Sequence, residues 1–236
     1  DQATGWMIGY VVLALVLLYS GWSITRGPVE FSIPKSEGAA DAQPTWARRA
    51  MWLALSFVPS SLLVGATSHI TTDVAAAPFL WAPPLMIYLL TFVFAFAKKP
   101  PIPHAFALVL APLSAAFALL MLSGGGPNSI GLMLGSDLFA LFIIALACHG
   151  AMNAQRPGAQ HLTQFYLIMS LGGVLGGAFN ALLAPVIFDN VYEYPLMLIA
   201  GVALLSVGGG QKIPRPVMIL LAASAIMLAT ALVLKA

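Results

Sequence analysis

The chain has 236 residues with 60% apolar side chains, only 8% charged side chains and a formal net charge of +2. Soluble domains carry roughly a quarter charged residues, so this composition excludes an ordinary soluble domain and indicates a protein surrounded by lipid. The basic residues are scattered among short loops, which argues against nucleic-acid binding. The single cysteine, Cys148, excludes a disulfide framework and a multi-cysteine metal site.

Long continuous apolar runs predict helices that cross a membrane. About 20 apolar residues span the hydrocarbon core as a helix, and lipid leaves no partner for the backbone of irregular segments. We therefore predict an all-α polytopic membrane protein, a single domain over residues 1–236 with a bundle of about eight transmembrane helices. In chain order the predicted spans are Trp6–Ile24, Trp46–Ser68, Phe79–Ala97, His104–Leu122, Ile130–His149, Leu162–Phe188, Pro195–Val207 and Val217–Leu234.

The segments outside the spans give the orientation. Lys and Arg occur after the first, third, fifth and seventh spans, and the loops between the other spans contain neither. Because Lys and Arg accumulate on the cytoplasmic side, we predict a multi-pass protein of the bacterial inner membrane with a periplasmic N-terminus. Residues 25–45 then form a flexible cytoplasmic loop, and tyrosines such as Tyr194 belong to the outer interfacial belt. The chain begins at Asp1 with no basic segment before the first span, so we expect a processed or partial chain without a secretory signal peptide.

A polar stretch, SHITTDVAAAPFLWAPP, interrupts the apolar pattern between the second and third spans. His69 and Asp73 are four residues apart, so a helical turn would place them on one face. Together with Thr72, and with Trp81 as an aromatic wall, they predict an outward-facing pocket that suits an amine or another cation. The alternative is a short exoplasmic turn in which Asp73 caps the next helix.

A second acid, Asp137 in the sequence GSDLF, lies about two turns inside the fifth span. An acid at membrane depth usually faces the bundle interior and has a function. At this depth Asp137 could share an outer cavity with Asp73, so we predict a substrate site formed by Asp73, Asp137, His69, Trp81 and Thr72. The alternative is an interfacial position in which Asp137 only hydrogen-bonds a neighbouring helix.

The sixth span contains the glycine-rich sequence LGGVLGGAFN. Gly172 and Gly176 form one pair at a spacing of four, and Gly173 and Gly177 form another, which predicts close helix packing in lipid. Asn180 follows on the same helix and can hydrogen-bond across the bundle or line a cavity. A dinucleotide site would need a soluble βαβ unit, which the sequence does not predict.

The histidines do not predict a cofactor. A haem held by two histidines needs both at similar depth on facing helices, whereas His104, His149 and His161 each lie at a predicted helix end and His69 lies on the other side. The sequence contains no HExxH motif, phosphate-binding loop or Cys/His cluster. We therefore expect no cofactor, no metal and no catalytic residues.

Three segments carry a family resemblance. SHITTDVAAAPFLWAPPLMIYLLTF, CHGAMNAQRPGAQHLTQFYLIMSLGGVLGGAFNALLAPVIF and VYEYPL resemble the membrane region of bacterial spermidine-synthase-like membrane proteins, over roughly Trp46–Leu196. The resemblance rests on the outer turn His69–Asp73, on His149 with Gly150, and on the glycine-rich sixth span. An acidic residue often follows CHG in that family, whereas Ala151 follows it here.

The resemblance implies a transporter-like membrane domain. In the family a soluble aminopropyltransferase-like domain follows, which binds a decarboxylated S-adenosylmethionine-like donor and a polyamine. That synthase domain is absent from this sequence, so no catalytic residue carries over and we do not expect an enzyme. We expect a module that binds or transports a small cationic solute such as a polyamine. The alternatives are an accessory or scaffold subunit of a larger membrane complex, and the membrane half of an enzyme whose soluble synthase-like part is separate.

Overall fold

The computed structural model describes residues 7, 10–12, 14–16, 18–19, 22, 43–74, 79–127, 129–208, 219, 222–223 and 226. Every regular element among these residues is a helix, which confirms the all-α prediction for this part of the chain. The chain divides into two units, Asp1–Ala40 and Asp41–Ala236. The boundary falls within the predicted cytoplasmic loop, and the prediction of one domain stays a prediction. In the first unit, the described residues between 7 and 22 are helical.

The second unit is built from helices joined by short connections. They are α1 (Trp46–His69), α2 (Ala82–Ala95), α3 (His104–Leu122), α4 (Ile130–Ala154), α5 (Leu162–Ala178), α6 (Ala184–Ile187) and α7 (Glu193–Gly208). A π-helical turn, Ile70–Val74, extends α1, and a second one, Phe179–Leu183, joins α5 to α6. A 3-10 turn, Ala159–His161, precedes α5.

Four of these helices are long and apolar enough to cross a membrane, which indicates a membrane protein. Their bounds are Trp46–Thr72, His104–Leu122, Ile130–Ala154 and Ala159–Ile187, and α2 and α7 are shorter apolar helices. The four agree with the second, fourth, fifth and sixth predicted spans, and α2 and α7 lie at the third and seventh. About half of the first predicted span and most of the last fall outside the described residues, so the count of eight stays a prediction.

Local sequence explains where several helices begin. The Thr45 side chain accepts a hydrogen bond from the Arg48 backbone N–H at 3.3 Å and so caps α1. Pro83 and Pro84 lie in the first turn of α2, where a missing N–H removes no intrahelical bond. Between α3 and α4 the chain turns through Gly124, whose φ of 76° favours glycine.

Helices α1 and α4 form the centre of the second unit. α5 packs along α1, α2 and α3 pack on α4, and α7 contacts both α1 and α4. Most of the residues that α3 buries are alanines, which allow neighbouring helices to approach closely. Large side chains such as Trp52, Leu62 and Ile144 are fully buried in the same hydrophobic core. This arrangement brings the C-terminal end of α1 and the N-terminal ends of α4 and α7 together.

The glycines of α5 lie directly against α1. A Cβ at Gly172 would overlap the Ser56 hydroxyl and the Leu53 carbonyl, and one at Gly176 would overlap the Phe57 carbonyl. Cβ atoms at Gly173 and Gly177 would have no neighbour within 4 Å among the described residues, and their packing role stays a prediction.

Candidate functional site

A carboxylate is buried where α1, α4 and α7 meet. The Asp137 side chain of α4 is 1% exposed, and its Oδ1 accepts a hydrogen bond of 2.8 Å from the Tyr194 hydroxyl of α7. His69, at the end of α1, places its Nε2 3.6 Å from Asp137 Oδ2 and stacks its ring on Tyr194 with centroids 5.3 Å apart. We call His69, Asp137 and Tyr194 the acid cluster.

A second acid lies beside the acid cluster. Glu193 begins α7, is buried to 9% exposure and directly precedes Tyr194. An acid in the first turn of a helix is stabilised by the helix dipole, which helps α7 to begin here. Glu193 and Asp137 therefore place two buried acids near the N-terminal ends of α7 and α4, which the Tyr194–Asp137 hydrogen bond joins.

Polar contacts continue from the acid cluster towards α5. The Asn180 amide, in the π-helical turn Phe179–Leu183, donates to the Ser61 hydroxyl at 2.5 Å and to the Gly176 carbonyl at 3.0 Å. A Cβ at Gly65 would lie 3.2 Å from the Tyr194 Cα and 3.4 Å from Asn180 Oδ1. Because Gly65 has no side chain, α1 approaches both α7 and the π-helical turn closely at this position.

A separate buried pair joins α2 and α4. His149 is 0% exposed, and its Nδ1 lies 2.9 Å from the Thr91 hydroxyl. Its ring stacks on Phe92 at a centroid distance of 3.7 Å and meets the Tyr88 ring edge at 5.4 Å. The sequence placed His149 at a helix end, but α4 continues to Ala154. His149 therefore lies more than one turn inside the helix and within the bundle.

A cavity of about 170 Å³ lies one turn further along this interface. Its walls are formed by Ala95, Pro100, Ile102, His104, Leu146, Gly150, Asn153 and Ala154. The Asn153 amide donates to the Ala95 carbonyl at 2.8 Å, and a Cβ at Gly150 would overlap the His104 ring. The cavity is mainly apolar, so it adds little to the recognition of a charged group.

The structure brings together some of the predicted substrate residues. Asp137 and His69 are neighbours, as the distance between them shows. Thr72 is exposed in the π-helical extension of α1, and Trp81 is 55% exposed immediately before α2. Asp73 lies in the same π-helical turn, and its side chain is outside the described residues. The substrate-binding role of these residues stays a prediction.

Sequence reasoning missed Tyr194 as a partner of the acid. It was expected in an interfacial belt, but it is fully buried and hydrogen-bonds Asp137. The available signal was the sequence EYP at the start of the short seventh span, where polar groups fall inside the first helical turn. Single-sequence patterns do not give the distance between this turn and Asp137.

Within the described part of the chain, no group of three or more His, Cys, Asp or Glu side chains could hold a metal ion. No protein-family model, curated protein or solved structure matches this chain.

Proposed function

We propose that this chain is a multi-pass module of the bacterial inner membrane that binds and transports a small cationic solute. The observation that carries the proposal is the burial of Asp137 inside the bundle, with Tyr194 on one oxygen and His69 near the other. An acid at membrane depth is costly and usually has a function. The eight spans and the periplasmic N-terminus predicted from the Lys and Arg pattern belong to the same proposal.

The two carboxylate oxygens of Asp137 have different roles in this proposal. The Tyr194 hydroxyl fixes Oδ1 and so orients the carboxylate, while Oδ2 has no hydrogen bond among the described residues and lies 3.6 Å from His69 Nε2. A cation that binds Oδ2 would therefore contact the side of the carboxylate that faces His69.

Asp73, Thr72 and Trp81 complete the proposed entrance to the site. Two of them are exposed at the same end of the bundle as His69, where a solute from the periplasm would arrive first. The resemblance to spermidine-synthase-like membrane proteins supports a polyamine as one such solute. The choice of a polyamine is supported by the sequence segments that resemble this family.

Cation binding to purified protein in lipid nanodiscs tests the proposal. We expect putrescine to bind wild type, and Asp137→Asn to weaken binding at least tenfold, because Asn keeps the shape and the Tyr194 acceptor but removes the charge. Asp189→Asn is the matched control, since Asp189 is an exposed acid in the loop before α7, and it should bind as wild type does. Equal affinity of wild type and folded Asp137→Asn would refute the proposal.

An accessory or scaffold subunit is the second candidate function. The long helix Ala159–Ile187 is the least buried of the four, at 22% against 50% for the others. α5 contacts mainly α1 and presents exposed Leu167, Leu171 and Val174 on its other side. Native mass spectrometry in mild detergent distinguishes the candidates. A stoichiometric membrane partner favours the scaffold, and a bound synthase-like protein favours the membrane half of an enzyme.

A further inference from the structure

Six buried side chains among the described residues each lack a hydrogen-bond partner at one atom, and three of the six belong to α4 or to the π-helical turn Phe179–Leu183. The atoms of these three are Asp137 Oδ2, Asn180 Oδ1 and His149 Nε2. Buried polar atoms in folded proteins nearly always have a partner, so each exception needs an explanation. The chemistry of the three atoms can be assigned from the contacts that their side chains already make.

Asn180 has used both of its donors. Its Nδ2 contacts the Gly176 carbonyl at 3.0 Å and the Ser61 hydroxyl at 2.5 Å. A carbonyl can only accept, so the amide nitrogen must face Gly176 and the oxygen must be the unpartnered atom. Asn180 Oδ1 is therefore a buried acceptor, on the same side of Gly65 as Tyr194.

The tautomer of His149 follows from Thr91. The Thr91 hydroxyl lies 2.6 Å from the Tyr88 carbonyl, which can only accept, so its single proton points there. Thr91 Oγ1 must then accept from His149, which places the imidazole proton on Nδ1. Full burial without a described ion-pair partner favours the neutral ring. His149 Nε2 therefore carries a lone pair and is also an acceptor.

The unpartnered donors lie elsewhere. Arg49 Nε and Trp52 Nε1 belong to the first two turns of α1, at the opposite end of that helix from His69. His104 Nδ1, at the start of α3 beside Gly150, also lacks a partner, and no contact assigns its proton.

On α4 and in the Phe179–Leu183 turn, the atoms that lack a partner are the acceptors of Asp137, Asn180 and His149. His149 lies twelve residues beyond Asp137 on α4, about 18 Å at the helical rise of 1.5 Å per residue.

We propose that the solute is an alkylammonium ion, recognised through its N–H groups at these three acceptors in turn. This rests on the proposed function and names its substrate class. Calcium and magnesium ions need about six oxygen ligands, whereas each of these positions offers one oxygen or one imidazole nitrogen. A quaternary ammonium ion has no N–H, so it would leave all three acceptors without a partner. His149 is then a second binding position, distant from the acid cluster.

Two cations of equal charge test the inference. Propylammonium carries three N–H groups and tetramethylammonium carries none, so wild type in nanodiscs should bind propylammonium at least tenfold more tightly. Equal binding of the two, with weaker binding of both in Asp137→Asn, overturns this inference and leaves the proposed function standing. No binding of either cation by folded wild type overturns both.

The role of His149 is tested separately. His149→Asn keeps an N–H that can reach Thr91 and removes Nε2, so the folded variant should bind propylammonium at least fivefold more weakly than wild type. In ¹⁵N-histidine spectra of wild type, the signals absent from His149→Asn should show a protonated Nδ1, and the Nε2 signal should shift on adding propylammonium. A protonated Nε2, or unchanged affinity in the variant, would refute the assignment.

Discussion

Replacing glycines of α5 by alanine gives a quantitative test of the bundle. A Cβ at Gly176 would overlap the Phe57 carbonyl and lie 3.0 Å from the Ser61 backbone nitrogen. Both neighbours are backbone atoms of α1, so no side-chain rotation can relieve the overlap and the helices must separate. At the adjacent Gly177 a Cβ has no neighbour within 4 Å. The two positions therefore differ in contact with α1 but not in helical environment.

The expected magnitude comes from two opposing effects. Alanine stabilises a helix relative to glycine by about 0.5–1 kcal/mol, and this gain applies to both variants. Overpacking costs about 1–3 kcal/mol and applies only to Gly176→Ala. The free energy of unfolding of Gly176→Ala should therefore be lower than that of Gly177→Ala by about 1–3 kcal/mol, because the helix-propensity terms cancel.

Unfolding in mixed micelles with increasing SDS, followed by circular dichroism, measures this difference. Gly172→Ala and Gly173→Ala form a second matched pair, since only Gly172 faces Ser56 and Leu53. A difference below about 0.5 kcal/mol in both pairs would refute the α1–α5 contact, because surface changes alone stay within that range.

Three further predictions follow from the same contacts. Tyr194→Phe removes the hydrogen bond to Asp137 Oδ1 and should lower the free energy of unfolding by about 1–3 kcal/mol in the SDS assay; an unchanged midpoint would contradict the bond. Gly65→Ala places a Cβ 3.2 Å from the Tyr194 Cα, whereas Gly135→Ala meets nothing within 4 Å, so only Gly65→Ala should weaken putrescine binding. A cysteine introduced at the exposed position Asn190 should react with a membrane-impermeant thiol reagent in intact cells, and one at the exposed position Lys99 should not. The native Cys148 is buried. Labelling at Lys99 but not at Asn190 would show that the orientation is the reverse of the proposed one.

The sequence predicted the long helices well because apolar run length and loop composition are local signals. The fourth predicted span, His104–Leu122, agrees with α3 at both ends, since Pro103 precedes it and the SGGGPNS loop follows it. The fifth span was predicted to end at His149, but α4 continues through Gly150 to Ala154. The residues after His149 are less apolar, but packing still supports the helix there. A prediction from composition alone therefore ends α4 too early.

The candidate site was only partly accessible from sequence. Asp137 and His69 were identified because ionisable groups are rare in apolar spans, and the sequence alone shows where they occur. Their contact with Tyr194 depends on how α7 crosses α1 and α4, which no local pattern encodes. The acceptor role of His149 was missed for a similar reason. It depends on the Thr91 hydroxyl donating to the Tyr88 carbonyl and not to His149.

The two π-helical turns, Ile70–Val74 and Phe179–Leu183, adjoin or contain residues of the polar interior: His69 precedes the first and Asn180 lies in the second. A π-helical turn inserts one residue into an α-helix, so everything beyond it is rotated by about 100° relative to an uninterrupted helix. Removing one residue from Phe179–Leu183 would restore the α-helical phase. Pro185 and the loop to Glu193 would then rotate about the helix axis, while the Gly172 and Gly176 face would remain in contact with α1. The direction in which this loop projects can therefore change without any change in the packing of α5.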